Sequence, residues 1–311
     1  MVMGSFLFKQ KAREALKGKW QNALVVSFFS GLFLTIAQLL QTTALQGVQN
    51  AQSSLMTMMS TVGSQMTNEQ AVQWIELYNR YLAEINSVPS STWITLLAVN
   101  LLALVVTPAL TVSCNRYFVS LIRGSELGVR EGLTGRLNIW FKALWLHVRM
   151  FVQIFLWSLL FFIPGIIAAI RYSMAPYYMA DDPTLSAGDA LRKSKEVMKG
   201  RKGTYFMLLI SFVGWNLLIS IVQMMLGGML GTVLMLVAAQ FMTLALNTYI
   251  NAATAAFYNA FATEYGVRDL YDTMRRRMRQ AGISDNEISA AGFGDGEDVT
   301  IEEDADGGED E

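Results

Sequence analysis

One cysteine and one histidine, Cys114 and His147, are all that 311 residues supply. That pair builds neither a disulfide framework nor a Cys/His metal cluster. Charge is scarce too: Asp, Glu, Lys and Arg make up 16% of the chain and hydrophobic residues 53%, where soluble domains carry roughly 25% charged residues. The chain has no Gly-rich phosphate loop after a strand, no H-E-x-x-H pair and no G-x-S-x-G elbow, so it lacks the signatures of the corresponding enzymes. No acidic residue interrupts the clearly apolar runs, which argues against a carboxylate proton relay through them. Histidine ordinarily titrates near neutrality, which suits a proton carrier, but beside Arg149 at a helix entrance His147 reads as an interfacial residue.

What the sequence has instead is long apolar runs. Residues 20–42, 92–115, 144–163, 204–226 and 229–258 each meet the ~20 residues that a bilayer crossing requires. A sixth run, 165–180, reaches only ~24 Å as helix and contains Arg171. The basic segment at 6–19 resembles the start of a signal peptide. The apolar run 22–40 exceeds a signal core and lacks a cleavage motif, so a first spanning helix is expected there.

Charge is distributed by sign along the chain. All 24 Lys and Arg lie before residue 280, and 12 of the 25 acids lie between Ser284 and Glu311. Up to Gln280 the balance is 24 basic against 13 acidic residues, a net +11. Lys9, Lys11, Arg13, Lys17 and Lys19 precede the first run, and only Arg80 lies in the following loop, 43–91. Further clusters run from Arg116 to Arg149 and from Arg192 to Lys202. The positive-inside rule puts both on the cytoplasmic side. That requires 165–180 to return as a crossing or a re-entrant leg, turning around Pro164. The expected fold is therefore an all-α polytopic membrane helix bundle of about six passes, one of them short and Pro-broken. An external amphipathic helix and interfacial cytoplasmic helices complete it.

In the 43–91 loop, "TNEQAVQWIELYNRYLAEINS" opens on a capping box, Thr67 to Gln70, and repeats apolar residues at helical spacing. The preceding Met-rich run has no accompanying His or Cys and reads as packing. The segment 184–202 has Ser186 as N-cap and Gly200 as stop. Leu191, Val197 and Met198 are expected at the lipid interface there, with lysines toward headgroups. In the domain plan, 1–19 is a cytoplasmic interfacial amphipathic helix and 20–262 the membrane bundle. Residues 263–283 form a juxtamembrane basic helix and 284–311 a disordered acidic tail.

Candidate site residues follow from polar stripes. Ser27, Gly31, Thr35, Gln38 and Thr42 share one helical face; so do Asn100, Thr107, Thr111 and Cys114, and Asn216, Ser220, Gln223 and Gly227. Gln240, Thr243, Asn247, Asn251 and Thr254 form a fourth. Such stripes either hydrogen-bond neighbouring helices or line a cavity for a lipid or small solute. Arg171, Asn216, Gln223, Asn247 and Asn251 are the ligand-binding candidates. Arg171 is expected ~9 Å inside the external end of its helix. An outer-leaflet phosphate, carbonyls freed by Pro164 and Pro176, or the Asn216–Gln223 stripe are its candidate partners. Arg192, Lys193, Lys195, Arg275, Arg276, Arg277 and Arg279 are the lipid-interface candidates, suited to anionic headgroups. No catalytic or metal-binding residue and no cofactor is expected.

Two quoted stretches carry a resemblance. "IPGIIAAIRYSMAPYYMADDPTLSAGDALRKSKEVMKGRKGTYFMLLISFVGW" and "FKQKAREALKGKWQNAL" resemble the bacterial integral-membrane domain-of-unknown-function family 975. The likeness covers residues 8–262. More distantly, the Pro-Gly turn, short helix and basic helix are similar to the membrane domain beside glycerophosphodiester phosphodiesterases. No catalytic phosphodiesterase domain is attached, so that activity is not implied. The resemblance implies a multi-pass protein of the bacterial cytoplasmic membrane and assigns no functional residues. The leading expectation is a non-enzymatic envelope protein with both termini cytoplasmic. It would work through membrane lipids or protein partners and not through nucleic acid; a transporter or flippase for a lipid-like or anionic solute is the alternative.

Overall fold

The computed structural model describes residues 2–61, 66–125, 127–226, 232–262, 275, 278–279 and 282–289. Among them the chain is helical throughout, with no strand. Helices α1 (Val2–Leu16), α2 (Trp20–Ala44), α3 (Gln46–Thr61), α4 (Asn68–Ser87) and α5 (Ser90–Ile122) come first. Then follow α6 (Val129–Thr134), a 3-10 turn (Leu137–Ile139), α7 (Trp140–Leu160), α8 (Phe162–Tyr172) and α9 (Ala175–Asp181). Helices α10 (Ala187–Val197), α11 (Lys202–Leu226), α12 (Thr232–Ala262) and the short α13 (Asp285–Ile288) complete the order.

Among the described residues, four helical stretches are long and apolar enough to cross a membrane: Trp20–Ala44, Ser90–Ile122, Val129–Leu160 and Lys202–Val222. The expected run 229–258 begins outside the described residues and is helical from Thr232. The 43–91 loop contains two helices where one was expected. Helix α4 starts on the capping box, the Thr67 hydroxyl accepting from Gln70 N and the Gln70 side chain from Thr67 N. Helix α3, which pairs with it, is rich in Gln, Ser and Thr and gave no periodic apolar signal.

The interior is concentrated at one end of the bundle. A single buried cluster joins Phe8 and Leu16 of α1, Tyr117 and Phe118 of α5, Met174, Met198, Leu208 of α11 and residues 252–258 of α12. Phe8, Phe257 and Phe261 form an edge-on trio with centroids 4.9 to 5.7 Å apart. The Tyr249 hydroxyl donates to the Lys9 carbonyl at 3.1 Å, fastening α1 to α12. Cations collect here: Lys9 lies over the Phe212 ring and Arg201 over Phe261. This is the basic end. Farther along the bundle, residues 213–218 of α11 are exposed on every side.

One further expectation is corrected. Helix α10 does not lay Leu191, Val197 and Met198 on lipid; all three are buried in protein. The α1 face of Leu7, Phe8, Ala12 and Leu16 is likewise buried. At the C-terminus, where a disordered tail was expected to begin, Ser284 caps one turn of helix through a capping box with Glu287; residues 290–311 lie outside the described set.

Candidate functional site

The segment 165–180 is not one helix. Pro176 has no N–H and its ring excludes a continuous ladder, so the chain breaks at Ser173 and Met174 between α8 and α9. Such a break strands backbone groups. One side chain of α10 serves two of them: the fully buried Ser194 hydroxyl donates to the Arg171 carbonyl at 2.8 Å and accepts from Met174 N at 3.2 Å. A hydroxyl can donate and accept at once, which makes serine apt for this pin. Beside it Lys195 lies over the Tyr172 ring and Lys193 over Tyr178.

Helix α9 ends in a charged node. Arg123, the C-cap of α5, holds Asp181 with two parallel bonds of 2.7 and 2.8 Å and donates its Nε to Asn259 at 2.9 Å. The Tyr258 hydroxyl donates to the same carboxylate at 3.1 Å. Arg136 donates to the carbonyls of Ala180 and Asp181, capping α9, which suits a cation at a helix C-terminus. Helix α5 can turn sharply into this node because Gly124 takes φ +77°, a left-handed conformation that glycine adopts freely. Burial raises the Asp181 pKa, but the bonds and charge of Arg123, with the Tyr258 hydroxyl, outweigh it and hold the carboxyl below its ordinary value. The bond to Asp181 in turn raises Arg123 further. Two arginines around one aspartate leave the node net positive, with three polar helix ends drawn together.

The sequence-derived candidates fall in separate places. Arg171 ends α8 half-buried at the level of α10. Its guanidinium bonds no described residue. Some stripe residues reach other helices, Thr254 to Tyr177 and Tyr205 and Cys114 to Ser30, and others bond their own. Asn216 Nδ2 donates to Phe212 O, Ser220 to Asn216 O, Thr111 to Thr107 O and Thr35 to Gly31 O. Asn216 and Asn247 are exposed and Asn251 half-buried, with no bond joining them among the described residues; the Gln223 side chain lies outside the described set.

Of the lipid-interface candidates, Arg192 pairs with Asp189 at 3.0 Å and Lys193 and Lys195 cover tyrosine rings. Arg279 donates to Asp285 at 2.7 Å, Arg275 is half-buried, and Arg276 and Arg277 lie outside the described residues. Sequence reasoning missed Arg123, Arg136, Asp181, Ser194 and Tyr258. The usable signal was the rarity of acids in a body of net +11, since an acid there is expected to find a cation.

No curated protein and no solved structure matches the chain. One family does, over residues 3–264, from α1 to just past the end of α12. The match takes in the whole basic end, including the Ser194 pin and the Arg123–Asp181 node, and the chain belongs to the family described as Protein of unknown function (DUF975).

Proposed function

We propose that this is a non-enzymatic integral protein of the bacterial cytoplasmic membrane, with both termini cytoplasmic. It acts in envelope maintenance by holding anionic phospholipid headgroups at its basic end. The observation that carries this reading is the separation of charge from apolar surface along one bundle. The cations of α1, α10 and the α5–α7 connection gather at one end, while the far halves of the helices expose leucine, isoleucine and phenylalanine. Apolar surface of that extent matches acyl chains, and a one-signed collar beside it matches acidic headgroups. Protein partners belong to the same reading, because Val72 and Ile75 on α4 stand 56% and 53% exposed.

Native mass spectrometry after gentle detergent extraction tests the proposal. Anionic phospholipid should be retained, and the combined variant Arg192→Gln, Lys193→Gln and Lys195→Gln should lose it. Equal retention of zwitterionic lipid, or anionic lipid kept by the variant, would overturn it.

A further inference from the structure

We propose that α7 and α8 form a hairpin that enters the bilayer from the basic side, turns near the midplane and returns, so that the chain crosses four times and not six. The inference rests on the membrane reading above. It starts from Ser194, whose hydroxyl ties residues 171 and 174 to the middle of α10. Helix α10 carries Arg192, Lys193 and Lys195 and has no place in hydrocarbon, so the C-terminal end of α8 is held at the interface. From Arg171 back to Phe162 is nine residues, ~14 Å of helix, about half of a ~30 Å hydrocarbon core.

Helix α7 alone is long enough to cross, but its first two turns are engaged elsewhere. Ala143 and Leu146 pack in one cluster with Ala175, Met179, Ala187 and Ala190, which places them beside α9 and α10. A Cβ on Gly188 of α10 would lie 3.3 Å from Arg149 Nη1, so that guanidinium also reaches the interface. From Arg149 to Phe161 leaves ~18 Å.

The two legs end together, because Gly165 sits so close on Ser158 that a Cβ there would meet both its hydroxyl and its Cα. The turn itself is bare and apolar: Leu159, Phe161 and Phe162 are 74%, 72% and 78% exposed. By contrast α2 and α5 offer 25 and 33 residues, enough for a full crossing. The occupant of the hairpin's surface is the acyl-chain layer of the basic-side leaflet. Parity is unchanged, which is why charge distribution alone does not separate this arrangement from six passes.

Spin labels on single cysteines in a Cys114→Ala background, with the full chain in lipid vesicles, decide the matter. Collision with dissolved oxygen is compared with collision with a water-soluble nickel chelate. Leu102→Cys, in the middle of α5, marks the midplane, and Ile94→Cys marks the far interface. Labels at Phe162→Cys and Leu159→Cys should give oxygen-to-nickel ratios near the Leu102→Cys value. Ratios nearer the Ile94→Cys value overturn the re-entrant hairpin. If Leu102→Cys itself collides freely with nickel, the membrane reading fails first, and that outcome is distinct.

Discussion

Residues 252–260 of α12 are buried without exception, whereas residues 213–218 of α11 are exposed on every side. Both stretches are helical and both are dominated by apolar or small residues. The first is lined by alanine and aromatic side chains that let α1, α5 and α11 approach closely. The second carries valine, tryptophan and leucine with no described neighbour to cover them. The basic end is thus organised like the interior of a soluble protein, by packing and polar pins, and the far end like a set of helices meant for an apolar solvent. Stability should reside in the first and lipid contact in the second.

Paired truncations break that comparison most directly. Leu208→Ala, at a fully buried site, should lower stability in detergent by about 3 kcal/mol. Leu217→Ala, 61% exposed, should change it by less than about 0.5 kcal/mol. Equal melting shifts would show that the two ends do not differ. Next comes the charged node. Arg123→Ala leaves the Asp181 carboxylate without its bidentate partner and should cost about 2 to 3 kcal/mol in the same assay. The Arg123→Ala, Asp181→Ala double variant should lose less than the two single losses combined.

Ser194→Ala sharpens the comparison by about 2 kcal/mol, because the Met174 N–H and the Arg171 carbonyl lose the hydroxyl they share. Ser194→Thr, which keeps the hydroxyl, should recover part of it.

The pH dependence is smaller. Asp181 has a depressed pKa in the folded chain, so its contribution is present above the unfolded carboxylate value of about 3.9 and is lost as pH falls through the folded value. Melting temperature should therefore fall in acid, and Asp181→Asn should flatten that fall. The least effect belongs to Arg192→Gln. Its exposed pairing with Asp189 should leave the melting temperature unchanged while lipid retention weakens.

Much of this arrangement is legible in the sequence. The apolar runs mark α2, α5, α7 and α11, Thr67 and Gln70 mark the start of α4, and Ser186 and Gly200 bracket α10. Periodicity also finds the apolar face of α10, but lipid and protein interior are equally apolar, so the pattern alone cannot say which one receives it. The node joins Arg123 to Asp181 across 58 residues, and nothing local in either neighbourhood announces the other. Pro176 predicts a break, yet the hydroxyl that heals it lies 20 residues downstream of Met174.

The bond between Tyr249 and Lys9 spans 240 residues, and that interval is also a time. At synthesis rates of about 5 to 20 residues per second, roughly 12 to 48 s separate the appearance of the two partners. Throughout that interval α1 exists while the α12 face that will bury Phe8 does not. Helix α1 is therefore among the last to be fully enclosed, and until then the part of its face that α12 covers stays bare. A chain halted before α12 presents that side permanently, giving membrane quality control a mark that the finished protein no longer shows.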